Sequence, residues 1–170
     1  MAENNTSGVL YVHSCLPAMM PHMEWALGRA LGHAVSFAWS EQPILPGTMR
    51  AEFEWQGSEA TAALVASSLR GWDQLRFEIT QNASAANDGG RWLHTPELGI
   101  FYMQLDTAGN TVVPEDRIRS AIENSGNDSA QLTRELRLAL GQAWDDELEP
   151  FRHAGSPGSL VWLNRASVNG

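Results

Sequence analysis

The sequence predicts an α+β fold in which an antiparallel sheet carries two helices against one face. Two segments alternate apolar with polar residues at the period of a half-buried strand: Met49, Ala51, Phe53 and Trp55 against Arg50, Glu52 and Glu54, and Leu75, Phe77 and Ile79 against Arg76, Glu78 and Thr80. Helix-period stripes precede each of them, so the first 81 residues divide into two strand-helix-strand halves. Proline and glycine between Pro43 and Gly47 separate those halves. The order βαββαβ is that of a ferredoxin-like split βαβ core, with strands expected in the order four, one, three, two.

Taken in order, Val9 to Val12 is apolar on both sides and belongs in the middle of a sheet. Pro21 suits the first turn of a helix whose apolar stripe is Met20, Met23, Leu27, Ala30 and Leu31, with Gly32 as its C-terminal cap. Val35, Phe37 and Trp39, opposite Ala34, Ser36 and Ala38, predict the second strand. Ala62, Val65, Ala66 and Leu69 form the second helical stripe, closed by Gly71. Beyond the turn-rich Asn82 to Gly90, the segments 91–94 and 99–106 predict a β-hairpin. Pro114-Glu115-Asp116 opens a short helix with apolar Ile118, Ala121 and Ile122. Asp128 with Gln131 reads as a capping box for a long helix. Leu132, Leu136, Leu140, Trp144 and Leu148 mark that helix's buried stripe, and Pro150 its end. After a Gly/Ser/Pro break, Leu160 to Leu163 offers an edge strand. The organisation expected is a tail over residues 1–7 and one domain over 8–165, divided into the core at 8–81 and a hairpin with helical extension at 82–165.

Hydrophobic residues make up 43% and charged residues 18% of the 170, with seven tryptophans, which is the composition of a chain with a core. The formal net charge of -9 opposes binding to phosphate backbones, so nucleic acid is not an expected partner. No apolar run approaches the roughly 20 residues of a membrane span. A single cysteine and the absence of a signal-like start predict a cytoplasmic protein without an internal disulfide. All 11 cationic side chains are arginines. The absence of lysine excludes a Walker A phosphate loop, a pyridoxal-phosphate Schiff base and a lysine nucleophile. The sequence specifies no cofactor, and it leaves a homo-oligomer open.

The stretches GVLYVHS, PHMEWALGRALG, LRGWDQLRFEIT, HTPELGIF, VPEDRIR and AWDDELEPFR resemble actinobacterial proteins grouped as domain of unknown function 3145. The resemblance runs from about Gly8 to Leu163 and implies no activity, cofactor or catalytic residue. It implies a connection to acyl-chain metabolism, because related proteins are encoded near fatty-acid synthesis genes.

Chemistry-bearing residues gather where the first strand meets the first helix. His13, His22, Glu24 and His94 are candidate ligands for zinc or non-haem iron, although no H-E-x-x-H or histidine pair on one helix face supports them. Cys15 with His13 or His22 is a candidate nucleophile and base, with Ser14 a second nucleophile, and a buried hydrophobic cysteine is the structural alternative. His13 and His22 are expected to approach each other. Trp25, Trp72, Arg91, Trp92 and His94 lie near turns and are the candidate ligand-binding set. Arg50, Glu52, Glu54, Arg76 and Glu78 form a charged strand face suited to cross-strand ion pairs, or to docking of the C-terminal helices or a second subunit. Asp145, Asp146, Glu147 and Glu149 suit a cation or a basic partner, or more economically a solvated helix end whose C-terminal dipole they oppose, for which Arg152 or a partner is the expected compensation. The functional expectation is an accessory protein binding a small ligand or a protein partner. The alternative is a small enzyme using His13, Cys15 and His22.

Overall fold

A computed structural model describes residues 5–154. In chain order the elements are β1 (Asn5–Cys15), a 3-10 turn (Pro17–Met19), α1 (Met20–Leu31), β2 (Ser40–Glu41), β3 (Met49–Ser58), α2 (Thr61–Leu69) and β4 (Arg76–Gln81). They continue as β5 (Gly89–Thr95), β6 (Gly99–Leu105), β7 (Thr111–Val112), α3 (Glu115–Ser125), α4 (Ser129–Ala139) and α5 (Gln142–His153). The strands form one seven-stranded antiparallel sheet in the order β2-β3-β1-β4-β5-β6-β7. β1 lies between β3 and β4, the place its two apolar sides require. Leu160 to Leu163 and Trp162 lie outside the described residues.

Side-chain alternation gives the sheet two different faces. Leu10 and Val12 of β1, Ala51 and Trp55 of β3, and Phe77 and Ile79 of β4 pack with Met23 and Leu27 of α1 and with Val65, Ala66 and Leu69 of α2. The opposite face presents Tyr11, His13, Glu78, Leu93, Phe101 and Met103. Leu148 of α5 closes over its β5–β6 part, with Leu93, Phe101 and Met103. Burying a leucine of this kind contributes roughly 1.5–3 kcal/mol, so α5 is held to the sheet by packing as well as by charge. Gly8 permits the tightest approach in the sheet: a Cβ there would lie 1.8 Å from the Thr80 carbonyl oxygen and 2.7 Å from the Trp55 ring.

Three expectations require correction. The tail does not extend to residue 7, because Asn5, Thr6 and Ser7 pair with Ser58, Gly57 and Gln56. Val35 to Trp39 is not a strand, and β2 is confined to Ser40 and Glu41. A Glu24 carboxylate oxygen accepts hydrogen bonds from the Phe37 backbone amide and from Trp39 Nε1, both at 2.9 Å. The α1 side chain thereby takes a donor that a strand would give to its neighbour.

The long C-terminal helix is two helices. α4 ends in front of Gly141, which adopts φ 76° and opens α5. A side chain at Gly141 would also meet Phe101 Cε1 at 2.7 Å. The i,i+4 stripe is therefore divided: Leu148 is fully buried and Trp144 partly so, whereas Leu140 is 47% exposed. α5 then runs through Pro150 to His153. Asp128 caps α4, its carboxylate accepting from the amides of Ala130 and Gln131. Among the described residues, no helix is long and apolar enough to cross a membrane.

Candidate functional site

The site is built from a carboxylate placed where a strand would ordinarily bury an apolar group. β1 carries an irregularity between Val12 and Cys15, where its register against both neighbouring strands shifts. Such a shift re-aims side chains. His13 remains on the face shared with Tyr11, the two rings lying 6.1 Å apart and nearly parallel. Cys15 turns back into the core beneath α1 and α2.

Glu78 of β4, only 4% exposed, is the centre of a charge cluster. One oxygen, Oε1, accepts from Arg91 Nη2 at 3.0 Å and from Arg152 Nε at 2.9 Å, and Arg152 Nη2 closes a second contact to it. Arg152 also donates to Asp145 Oδ1 at 2.7 Å and to Glu149 Oε2 at 3.1 Å. The other oxygen, Oε2, faces His13 Nε2 at 3.5 Å, too long for a good hydrogen bond. His13 is 6% exposed, and Nε2 has no hydrogen-bond partner among the described residues.

Burial alone would raise the Glu78 carboxyl, but His13, Arg152 and the charge of Arg91 outweigh it and hold the group at about 2. Burial likewise opposes the Arg152 cation, and Glu78 and Asp145 overcome it, keeping the guanidinium charged. Tyr11 lies between Glu52 on β3 and Glu78 on β4 in the register. Partial burial and then the charges of those two glutamates push its hydroxyl above the ordinary value, so the phenol stays protonated.

Over this cluster lies a cavity of about 520 Å³ lined by Tyr11, His13, Arg50, Glu52, Glu78, Thr80, Arg91 and Arg152, and also by Leu105, Gly109 and Thr111. That volume falls within the range of small-molecule sites. Arginine forks and a protonated phenol can donate hydrogen bonds to oxygen groups, and the two glutamates can receive a cation or a donor.

The structure does not bring the sequence candidates together. His13 reaches this cavity, whereas His22 packs on Trp72, ring centroids 5.0 Å apart, on the α1 side of the sheet. Glu24 is occupied by Phe37 and Trp39. His94 is 3% exposed, stacks on Phe77 and places Nδ1 2.8 Å from the Leu75 carbonyl oxygen. No group of three or more His, Cys, Asp or Glu side chains could hold a metal ion among the described residues. Cys15 is sealed from solvent and burial pushes its thiol up to about 12; Ser14 accepts a long contact from Arg76.

Of the proposed ligand-binding set, Arg91 alone lines the cavity. Trp25 is exposed on α1 under Arg29, Trp72 donates to the Ser68 carbonyl, and Trp92 packs on Tyr102. Glu78 and Arg152 were visible in the sequence as a strand-face charge and a helix-end charge. What joins them is the packing of α5 across the sheet.

The model of the family described as Protein of unknown function (DUF3145) matches residues 9–165. In comparisons with curated proteins and with solved structures, nothing matches. The match runs from within β1 through α5, including every residue that lines the cavity, and the chain belongs to this family.

Proposed function

We propose that the protein is an accessory factor that binds a small polar ligand in the cavity over Glu78. The observation that carries this reading is His13 Nε2, a buried polar atom whose one polar neighbour, Glu78 Oε2, stands off at 3.5 Å, beside a cavity lined by arginines and glutamates. Buried polar groups are normally satisfied, and at a cavity wall the partner comes from whatever fills the cavity, a ligand's polar group or water. A core of the first four strands with α1 and α2, arranged as a ferredoxin-like split βαβ unit, is part of the proposal and is supported by the strand order β2-β3-β1-β4. A cytoplasmic setting and a link to acyl-chain metabolism rest on cysteine usage and on the family resemblance.

A second reading, a small enzyme, keeps only His13 of the catalytic candidates. It is favoured by the approach of His13 to Glu78 and by the stacking of Tyr11 on His13, which place a base and a protonated phenol at one cavity. The test is nondenaturing mass spectrometry of the full chain purified from its own host. A small-molecule mass increment on the wild type that is lost in Arg50→Ala supports binding in the cavity. Bare protein in both, or an increment unaffected by the substitution, contradicts it. An increment of changed mass after incubation favours the enzyme.

A further inference from the structure

We propose that the cavity's ligand is a small zwitterion of the amino-acid class, its carboxylate held by Arg50 and its ammonium group by Glu52. This rests on the reading of the cavity as a ligand site and adds the chemistry of what enters it.

The charges around the cavity nearly cancel. Arg50, Arg91 and Arg152 line it together with Glu52 and Glu78, and Asp145, which takes a hydrogen bond from Arg152 and lies 3.6 Å from Arg91, balances the remainder. A simple anion or a simple cation gains little from such a lining, whereas a molecule carrying both charges is matched at each end. The two signs are also differently committed. Arg91 and Arg152 are tied to Glu78 and Asp145. Among the described residues, Arg50 and Glu52 make no ion pair.

Arg50 and Glu52 stand two residues apart on β3, so they share a face and their backbones are separated by about 6.5 Å. That is a suitable span for side chains closing from either side on the two ends of a small zwitterion. Arg50 lies on β3 beside the irregular part of β1 that carries His13. His13 Nε2, buried and with only the 3.5 Å contact to Glu78, is a second point of contact for the carboxylate. Glu52 pairs in register with Tyr11, beyond which is Glu78, whose Oε2 faces only His13. The ammonium group therefore meets one glutamate without an ion-pair partner and one carboxylate oxygen whose sole neighbour among the described ion pairs is the long contact to His13.

The experiment is a thermal-shift screen of the standard L-amino acids on the full chain, followed by isothermal titration of the strongest. The same titration is then run with its deaminated acid, its decarboxylated amine and inorganic phosphate. The expected result is binding of the amino acid, with acid and amine each roughly tenfold weaker or worse because each loses one charge-assisted contact in the cavity. Arg50→Ala and Glu52→Gln alter groups that are partly or fully exposed, and unchanged urea midpoints confirm intact folding. Arg50→Ala weakens the amino acid and the acid alike. Glu52→Gln weakens the amino acid and leaves the acid unchanged. Equal binding of amino acid and deaminated acid, preference for phosphate, or no response to any amino acid overturns the zwitterion but leaves the cavity as a site. Amino-acid binding that neither substitution changes overturns both readings.

Discussion

Arg152, near the end of α5, and Glu78, in the middle of β4, are 74 residues apart in sequence and joined by two guanidinium contacts to one buried carboxylate oxygen. The pair sits where the helix crosses the sheet, between the apolar seat of Leu148 and the cavity containing His13. It therefore aligns α5 and also fixes one wall of the cavity. Removing the carboxylate leaves Arg91 and Arg152 partly buried beside each other.

Glu78→Gln is expected to destabilise the protein by about 3 kcal/mol, because breaking a buried ion pair from one side leaves its partners uncompensated. Asp145 and Glu149 still hold Arg152 and keep the loss toward the lower end. Equilibrium urea unfolding measures it, and a change of a few tenths would make the cluster a surface feature.

The same residue sets a pH dependence. A carboxyl whose value falls on folding stabilises the native state above its unfolded value and loses that contribution as the pH drops toward the folded one. For Glu78 the window runs from the ordinary 4.5 down to about 2. Unfolding free energy of the wild type should fall through this range. In Glu78→Gln this component is absent, so a curve as steep as that of the wild type would assign the acid sensitivity to other carboxyls.

The division of the C-terminal helices predicts a contrast within one apparent stripe. Leu148→Ala should cost about 2–5 kcal/mol, as for a fully buried leucine, whereas Leu140→Ala should cost roughly 0.5 kcal/mol or less. Gly141→Ala should cost about 1–2 kcal/mol or more, because φ 76° is left-handed and Phe101 leaves no room for a methyl group. Urea unfolding of the three variants separates a broken helix from a continuous one, for which Leu140 and Leu148 would respond alike.

Cys15 should resist a thiol reagent in the native protein at neutral pH and react at once in denaturant, since its thiol is buried and raised to about 12. Labelling followed by mass spectrometry reads this directly. Fast native labelling would restore the cysteine as a candidate nucleophile.

The strands at Met49 to Trp55 and Leu75 to Thr80 were legible because period-2 alternation is local and each has one buried face. The segment Val35 to Trp39 carries the same pattern, yet Glu24, more than ten residues earlier, diverts its donors. No periodicity reveals that. The helix stripe misled for a related reason: spacing by four continues across Gly141, while the glycine that breaks it is a single residue whose left-handed conformation the stripe does not register. At the site, His13 and Arg91 could be named from sequence as polar residues beside strands and turns. Glu78 and Arg152 could be named only as charges, because their meeting depends on how α5 lies across the sheet.

The most direct test of a ligand site over Glu78 is the side-chain ¹H–¹⁵N spectrum of the five histidines, recorded on the full chain before and after adding small-molecule extract from its host. The account predicts that the His13 ring resonances move, while His94, equally buried but bonded to the Leu75 carbonyl on the other face, stays in place. Movement at His94, His22 or His33 with His13 unchanged would contradict it, as would five histidines indifferent to the extract.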